Sequence, residues 1–385
     1  MINVVTITGY SSKGDGVTRL DDGRVVFVKG AVRGEINEIV LTDERKKSCR
    51  AEIHRIINQS EFRIKPDCDV YNICGGCNFL HITYEEELRA KLQHVNDTLK
   101  FIAGVNIQAK KILTTGQSEF YRNKVVLHTA TSLQGKTQIG FYRTGTHDLC
   151  VINKCNLLKD ELNEALSKIQ NKNLPPESKI TLRVGSDGVV NSKITGLETD
   201  DSYIKEEMEG IIYMMSGSSF FQVNTDAALL LFNTARDYAE LHKDETLVDL
   251  YCGVGTLTLF LGRDCGNAIG VENNPIAIND AKHNAKINNF DHIKFYCEDA
   301  AEWNVNKLKP DCIVVDPPRR GLSDKVKKSI IEALPSRIVY ISCNPSTMAR
   351  DIKDMSIYGL EKVCAIDMFP RTANVECCAL LKLKL

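Results

Sequence analysis

Hydrophobic and polar positions alternate in short runs over residues 4–57, as VVTITGY, GVTRL, GRVVFVKGAV, GEINEIVLT and CRAEIHRII, with glycine and charged residues between them. Period-two alternation of this kind predicts five short strands, and five strands in so short a stretch predict a small closed barrel of the OB type. The pattern then changes period. Thr83 followed by Glu86 reads as a capping box, and Tyr84, Leu88, Leu92, Val95, Leu99 and Ile102 recur at steps of three and four. An amphipathic helix is therefore predicted over 83–103, with Gly104 as its stop. Residues 114–215 read as strands and hairpins around one helix at 157–169. Further on, the strands TLVDLY, AIGVE, IKFYCED, CIVVD and RIVYIS alternate with helical segments such as PIAINDAKHNAKI and LSDKVKKSIIEAL. That order predicts a parallel, doubly wound α/β sheet. The last two strands, VCAIDMF and VECCALLKL, are joined by a link too short for a crossover, so the final strand is expected to run antiparallel to its predecessor. Three domains are expected: 1–57, the barrel; 58–215, a β-rich central domain whose helix 83–103 packs on the last domain; and 216–385, the α/β domain.

Composition narrows the class. The chain has 385 residues, 43% hydrophobic and 26% charged, which suits a globular protein and excludes a disordered or fibrous one. No apolar run approaches the roughly 18 residues of a membrane span, and MINVVTITGY lacks the basic and apolar regions of a secretory signal. A cytoplasmic protein without a membrane partner is expected, and a monomer, since no sequence feature demands an interface. The net charge is −1, so a nucleic acid would have to be held by local basic patches. One such stretch, residues 82–145, carries nine Lys and Arg against five acids. Arg122 and Lys124 within it are candidate phosphate contacts, as are Arg319 and Arg320, although most charge runs are only a solvated face.

Fourteen cysteines suggest metal binding or catalysis before disulfides in such a chain. Cys68, Cys74 and Cys77 cluster within ten residues, and Cys155 stands just before the predicted helix at 157–169. Four thiolates suit either zinc or a [4Fe–4S] cluster. Scattered cysteines such as Cys252, Cys265, Cys297 and Cys312 are by default small buried hydrophobes.

Three strand ends carry candidate chemistry. The run Asp249-Leu-Tyr-Cys-Gly253-Val-Gly255-Thr256 ends the first α/β strand and opens a helix, where a glycine turn lets backbone approach a ligand. Glu272 follows at the end of the next strand, placed to accept hydrogen bonds from ribose hydroxyls. Thr258 stands where a dinucleotide fingerprint would have its third glycine, which weakens a nicotinamide reading. Asp316-Pro-Pro-Arg319 ends the fourth strand, and Ser342-Cys343-Asn344-Pro345 the fifth. If the last strand inserts beside the fifth, Glu376 at its start converges with Cys343. A thiol, a carboxylate and a methyl donor at one sheet edge fit one reaction well. Carbon 5 of uracil becomes nucleophilic only after a thiolate adds to carbon 6, and a base must later remove the carbon 5 proton so that the thiol can leave.

The run GDGVTRLDDGRVVFVKGAVRGE resembles a TRAM domain, a barrel found on RNA-modifying enzymes. DLYCGVGT, DPPR, SCNP, SFFQVN at 219–224 and the FPRTANVE run together resemble the uracil-5 RNA methyltransferase family over essentially the whole chain. The resemblance implies a class I S-adenosylmethionine-dependent fold, Rossmann-like with a seven-stranded sheet, preceded by the TRAM barrel and a central iron–sulfur domain. It implies Cys343 as nucleophile and Glu376 as the proton-abstracting base. Gln222, Tyr251, Gly253, Gly255, Thr256, Glu272, Asp299 and Asp316 match methyl-donor positions, with Asp299 on the adenine side. Asp316 is also implied at the uracil edge, and Phe220 in stacking on nucleotides near a flipped target. C-x5-C-G-G-C with a remote cysteine resembles the family's [4Fe–4S] pattern, with zinc as the alternative. The implied substrate is 23S ribosomal RNA, because many members acting on transfer RNA lack the barrel; transfer RNA is the alternative. The chain departs from common family residues at Asn374, where many members have histidine, and at Thr256, often asparagine. Two other readings compete: a non-catalytic iron–sulfur RNA-binding protein on the same fold, and a 5-methylcytosine enzyme. Retention of Cys343, Glu376 and Asp316 together counts against the first, and the absence of a cysteine in DPPR against the second.

Overall fold

The computed structural model describes residues 2–132, 134–170, 172, 174–195, 203–217 and 219–384. The chain packs as two compact units. One comprises the chain up to His94 with Phe141–Cys150 and Phe369–Asn374; the other comprises Val95–Gly140, Val151–Met368 and the chain from Val375.

In the first unit the N-terminal strands are β1 (Ile2–Thr6), β2 (Gly9–Tyr10), β3 (Gly16–Arg19), β4 (Val25–Lys29), β5 (Ile36–Glu44) and β6 (Ser48–Asn58). They form one sheet in the order β1-β5-β6-β4-β3-β2. The sheet curls on itself: Thr8 N donates to Val17 O at 2.8 Å, and Thr18 Oγ1 to Thr6 O at 2.8 Å. The first predicted strand is thus broken at Ile7–Thr8, where the chain turns the corner. Val5, Ile7, Val26, Val28, Ala31, Ile39, Cys49 and Ala51 fill the interior. A methyl group on Gly16 would come within 2.8 Å of Ala31 Cβ, so the close approach there requires glycine.

Helix α1 (Tyr84–Thr98) runs into a π-helical turn, Leu99–Ala103, and stops at Gly104 with φ 71°. Half of the predicted capping box forms: Glu86 N donates to Thr83 Oγ1 at 3.3 Å. The Glu86 carboxylate does not return to Thr83. It takes Arg33 and Arg89 as bidentate partners at 2.7–3.0 Å. Burial alone would raise this carboxyl, but the two guanidiniums outweigh it and hold it down at about 2. One residue on, Glu87 accepts from Lys91 Nζ at 2.7 Å and from Arg371 N at 2.7 Å, and Lys91 also donates to Phe369 O at 3.1 Å. Both side chains are essentially inaccessible. Asn78 N and Phe79 N donate to Arg371 O at 3.0 and 3.1 Å. A buried ion pair therefore supplies partners for the backbone of Phe369–Asn374, a segment without regular structure that needs them.

The second unit is organised by an eight-stranded sheet. Its strands are β7 (Ile112–Leu113), β15 (Thr246–Leu250), β16 (Asn267–Glu272), β17 (Ile293–Cys297), β18 (Cys312–Val315), β19 (Arg337–Ser342), β20 (Tyr358–Ile366) and β21 (Glu376–Leu383). Their order is β17-β16-β15-β18-β19-β21-β20-β7. The first five are mutually parallel, and β21 runs antiparallel between β19 and β20, as the short last connection requires. The eighth strand, β7, adds to the predicted seven through a two-residue parallel pairing with β20, too short to show any period in sequence. Helices α4 (Thr256–Gly262), α5 (Pro275–Ile287), α6 (Asp324–Ala333) and α7 (Pro345–Asp354) connect the strands, after α3 (Thr225–Ala239) has led into the sheet. The π-helical turn after α1 packs on α7. A second, antiparallel sheet contains β8 (Lys124–Thr131), β9 (Thr137–Tyr142), β10 (Leu149–Val151), β11 (Lys179–Val184) and β12 (Val190–Ile194), and β13 (Ile204–Met208) pairs with β14 (Ile211–Met215) as a hairpin. Helix α2 (Asp160–Gln170) begins three residues later than predicted.

Helix α5 holds the hairpin by polar residues one turn apart. Asn288 Oδ1 accepts from Ile212 N at 2.9 Å and Asn284 Oδ1 from Met214 N at 2.7 Å. Asp280 accepts from Ser216 N at 3.0 Å and Ser219 Oγ at 2.6 Å. The three side chains lie along one face because they are four residues apart.

Replacing Glu87 by alanine strands the Lys91 ammonium without its buried carboxylate. We expect a loss of roughly 3–5 kcal/mol in urea unfolding. Glu86 gives a pH dependence of definite sign. Its folded value lies below the roughly 4.3 of an unfolded glutamate, so its contribution is complete above that pH and vanishes as pH falls through about 2. The stability gap between wild type and Glu86→Gln should therefore narrow from pH 6 to pH 3 in denaturant titrations; a constant gap would contradict the assignment.

Candidate functional site

The glycine turn after β15 is set by its neighbours in the sheet. Tyr251 N and Cys252 N both donate to Val271 O, at 2.9 and 3.1 Å, and the backbone turns left-handed at Tyr251 (φ 76°), Gly253 (54°) and Gly255 (81°). Tyr251 is the exception, a large residue in a conformation that glycine favours, and such outliers concentrate at working sites. At Gly255 a side chain would strike the Phe295 ring at 2.8 Å. A side chain added at Gly253 would meet nothing within 4 Å, so that face of the turn borders open space. Glu272 borders that space: Oε2 accepts from Gly253 N at 3.3 Å and Oε1 from Asn274 N at 2.9 Å. Each oxygen retains a lone pair for a hydroxyl. Thr258, where a third glycine would stand, donates to the buried Asp249 at 2.6 Å. Burial raises that carboxyl to about 7. Asp299 lies beyond β17 near Tyr251, whose phenol is pushed up to about 12 by burial first and by Asp299 second. Thr256 opens α4, and its carbonyl accepts from Tyr213 Oη at 3.3 Å.

Residues 219–224 form an irregular strap ahead of α3. Asn224 caps that helix, accepting from Ala227 N at 3.2 Å. Gln222 is nearly buried, Phe221 is buried, and Phe220 stands 67% exposed. An exposed phenyl ring on an anchored strap has a free face for stacking.

The third element is the edge where β18, β19 and β21 meet. Ser342 pairs with Cys377 in register, so Cys343 and Glu376, each one residue beyond the pair, come to the same edge. Val315 pairs with Tyr340, which brings Asp316 to that edge as well. Glu376 is buried, and its Oε2 has no hydrogen-bond partner in the protein. Burial raises its carboxyl well above the ordinary range, Asp316 pushes the same way, and Arg319 opposes. Burial likewise raises Asp316 to about 6. The half-buried Cys343 thiol is pushed up by burial, then by Glu376 and Asp316, and pulled down by the charge and hydrogen bond of Arg319. The loop carrying Asp316 and Arg319 is fastened to α7. Asn344 Nδ2 donates to Arg319 O at 3.0 Å, Arg350 Nη2 to Arg320 O at 2.8 Å, and Leu322 N to Asp351 Oδ2 at 2.8 Å. Arg319 was legible in sequence only as a basic residue; its approach to the thiol follows from this fastening.

Two of the candidate phosphate contacts, Arg122 and Lys124, flank the buried Asn123. Arg122 and Lys124 are half-buried, Arg122 Nε is without a partner, and burial, then Arg183 and Lys179, lowers the Lys124 ammonium. The cysteine quartet fares differently. Cys68, Cys74 and Cys77 belong to the first unit and are half-buried, and Gly76 N donates to Cys74 Sγ at 3.4 Å. Cys155 belongs to the second, where Asn163 holds its backbone. Among the described residues no three His, Cys, Asp or Glu side chains are grouped to hold a metal ion. The expectation of a [4Fe–4S] cluster or zinc drawn from their spacing therefore gains no support.

No helix among the described residues is long and apolar enough to cross a membrane. The family model described as tRNA (uracil-5-)-methyltransferase matches residues 122–384, and the TRAM domain model matches residues 4–54. An uncharacterized RNA methyltransferase of Bacillus cereus is 31% identical, covering 98% of this chain and 96% of the relative. Another, of Synechocystis sp., is 32% identical, covering 98% and 95%. Among solved structures, the Pyrococcus abyssi tRNA (uracil-54, C5)-methyltransferase in complex with S-adenosyl-L-homocysteine superposes with a TM-score of 0.78 at 24% identity, covering 99% of this chain and 100% of that one. A sheet with its last strand inserted antiparallel, a TRAM segment and matches over this span agree on one assignment: the chain belongs to the tRNA (uracil-5-)-methyltransferase family and is an RNA methyltransferase.

Proposed function

We propose that the protein methylates carbon 5 of uridine in RNA with S-adenosylmethionine as donor. The observation that carries this reading is the convergence of Cys343, Glu376 and Asp316 on one sheet edge, with Glu376 Oε2 buried and unpartnered. The donor fits the glycine turn, where Gly253 borders open space and Glu272 keeps lone pairs for ribose hydroxyls. Gln222, Tyr251, Gly255, Thr256, Asp299 and Asp316 complete its surroundings in this reading. The donor supplies a methyl group on a sulfonium.

The protein's own groups do the rest. Cys343, as thiolate, adds to carbon 6 of the uracil and leaves an enolate whose carbon 5 takes the methyl group. Arg319 favours the thiolate against the two carboxyls that disfavour it. Glu376 then accepts the carbon 5 proton, and the carbon 6–sulfur bond breaks, returning Cys343 and releasing 5-methyluridine. Two neighbouring carboxyls resist double ionisation, and Arg319 opposes this, favouring the charged form of Glu376 that the base step needs. Phe220 stacks on RNA beside the target, which must leave its helix to reach the edge. Arg122 and Lys124 contact phosphates. No step runs through the cysteine quartet.

On substrate, the barrel favours 23S ribosomal RNA. A second reading, transfer RNA, is favoured by the Pyrococcus abyssi enzyme, whose fold extends over 99% of this chain and whose substrate is a transfer RNA uridine.

Incubation with unmodified 23S and transfer RNA and labelled donor tests both points. Wild type should yield 5-methyluridine in one of them, and Cys343→Ala none; equal labelling by both proteins would make Cys343 structural. Glu376→Gln should transfer the methyl group once and then accumulate a protein–RNA adduct that survives denaturing gels. Because the thiol is raised, the single-turnover rate of wild type should climb about tenfold per pH unit across the neutral range. A flat profile would assign the slow step elsewhere.

A further inference from the structure

Between Ser219 and Val223 the strap has neither helix nor strand structure, so its backbone groups must find partners in side chains or neighbouring segments. Ser219 N finds Ser216 O at 3.0 Å and Asn224 O takes Ala228 N of α3 at 2.9 Å, while three carbonyls between them are held by two buried residues. Asn123 N donates to Val223 O at 2.9 Å, and Asn123 Nδ2 faces Gln222 O at 3.1 Å, Thr225 Oγ1 at 3.0 Å and Glu206 Oε1 at 3.3 Å. Its own carbonyl accepts from Val184 N at 2.9 Å. Arg183, equally buried, donates to Ser219 O at 3.3 Å and lays its guanidinium over the Phe221 ring at 5.3 Å. The carbonyls of residues 219, 222 and 223 are thus all held by Asn123, just before β8, and by Arg183 in β11. Asn123 is completely buried, so its amide is oriented by these acceptors and not by solvent.

We propose that Asn123 is a positioning residue: its side-chain amide fixes the strap so that Gln222 is presented to the methyl donor and Phe220 to the RNA. The proposal rests on the reading of Gln222 as a donor contact. Side chains alternate along an extended chain, so Arg122 and Lys124 point away from Asn123. The same three residues then hold RNA phosphates on one face and set the stacking strap on the other. Asn123 touches neither donor nor RNA in this account and acts only through the carbonyls it holds.

Calorimetric titration with S-adenosylhomocysteine tests this, with thermal unfolding of each variant as a check on folding. Gln222→Ala should weaken binding roughly tenfold, and Asn123→Ala by a similar factor, since a buried carbonyl left without its donor shifts the backbone it belongs to. The double variant should bind within about twofold of Gln222→Ala, because a misplaced side chain that is already absent has nothing further to lose. The proposal is overturned if Asn123→Ala binds like wild type while Gln222→Ala is weakened. It is overturned equally if the two effects multiply to about a hundredfold in the double variant. Wild-type binding by Gln222→Ala would instead sink the donor-contact reading, and the proposal with it. If Asn123→Ala does not fold, Asn123→Ser, which keeps the backbone bonds and a polar group in the same space, is read against the same outcomes.

Discussion

Everything at the reactive edge depends on the pairing of β21 with β19. The pair Ser342 and Cys377 is the last of six, and Cys343 and Glu376 lie just past it on opposite strands. Side chains alternate across a sheet, so a slip of one residue would turn Glu376 to the other face and leave Cys343 beside a cysteine. The register is held by what surrounds it. Cys377, Cys378, Ala379, Leu380 and Leu381 are all buried, with neighbours on both faces. A strand buried on both sides reads as a continuous apolar run, and the one charged residue in VECCALL stands at its start.

That residue is costly to bury alone, and the site reduces the cost without abolishing it. Arg319 opposes the burial of Glu376, while Asp316 adds to it. An orphaned carboxyl oxygen next to a second raised carboxyl is a poor arrangement for stability and a useful one for proton transfer. A buried carboxylate in the other unit serves a different end. Glu87 has a lysine and a backbone amide on it at 2.7 Å, and it holds a loop rather than reacting.

Sequence alone carried the α/β order, the antiparallel last strand and the glycine turn, because each is written in local pattern: alternation, helix period, link length. The buried cysteines Cys252, Cys265 and Cys312 also follow from their apolar surroundings, whereas Cys297 is exposed at the end of β17. What sequence could not carry are the long-range hydrogen bonds. Glu86 had the spacing of a capping residue, but two guanidiniums compete for it and win because they are charged. Asn123, between two basic residues, carries no local pattern that shows what it holds. Asp280, Asn284 and Asn288 did have a readable sign, a polar residue at every fourth position of a helix, yet only the folded chain says that they grip a hairpin.

The loop from Asp316 to Leu322 has a consequence for how a substrate is chosen. Its Pro-Pro step, its bonds to Asn344, Arg350 and Asp351, and a Gly321 pressed against the Asp351 carboxyl and the Arg350 guanidinium leave it little room to change shape. A rim of this stiffness does not adapt to its guest. For a nucleotide target, the deformation has to come from the RNA, so selection falls on those uridines whose surroundings already hold them loosely. In the proposed reading, selection then follows how easily a base comes out of its stack, and sequence around the target counts chiefly through that ease.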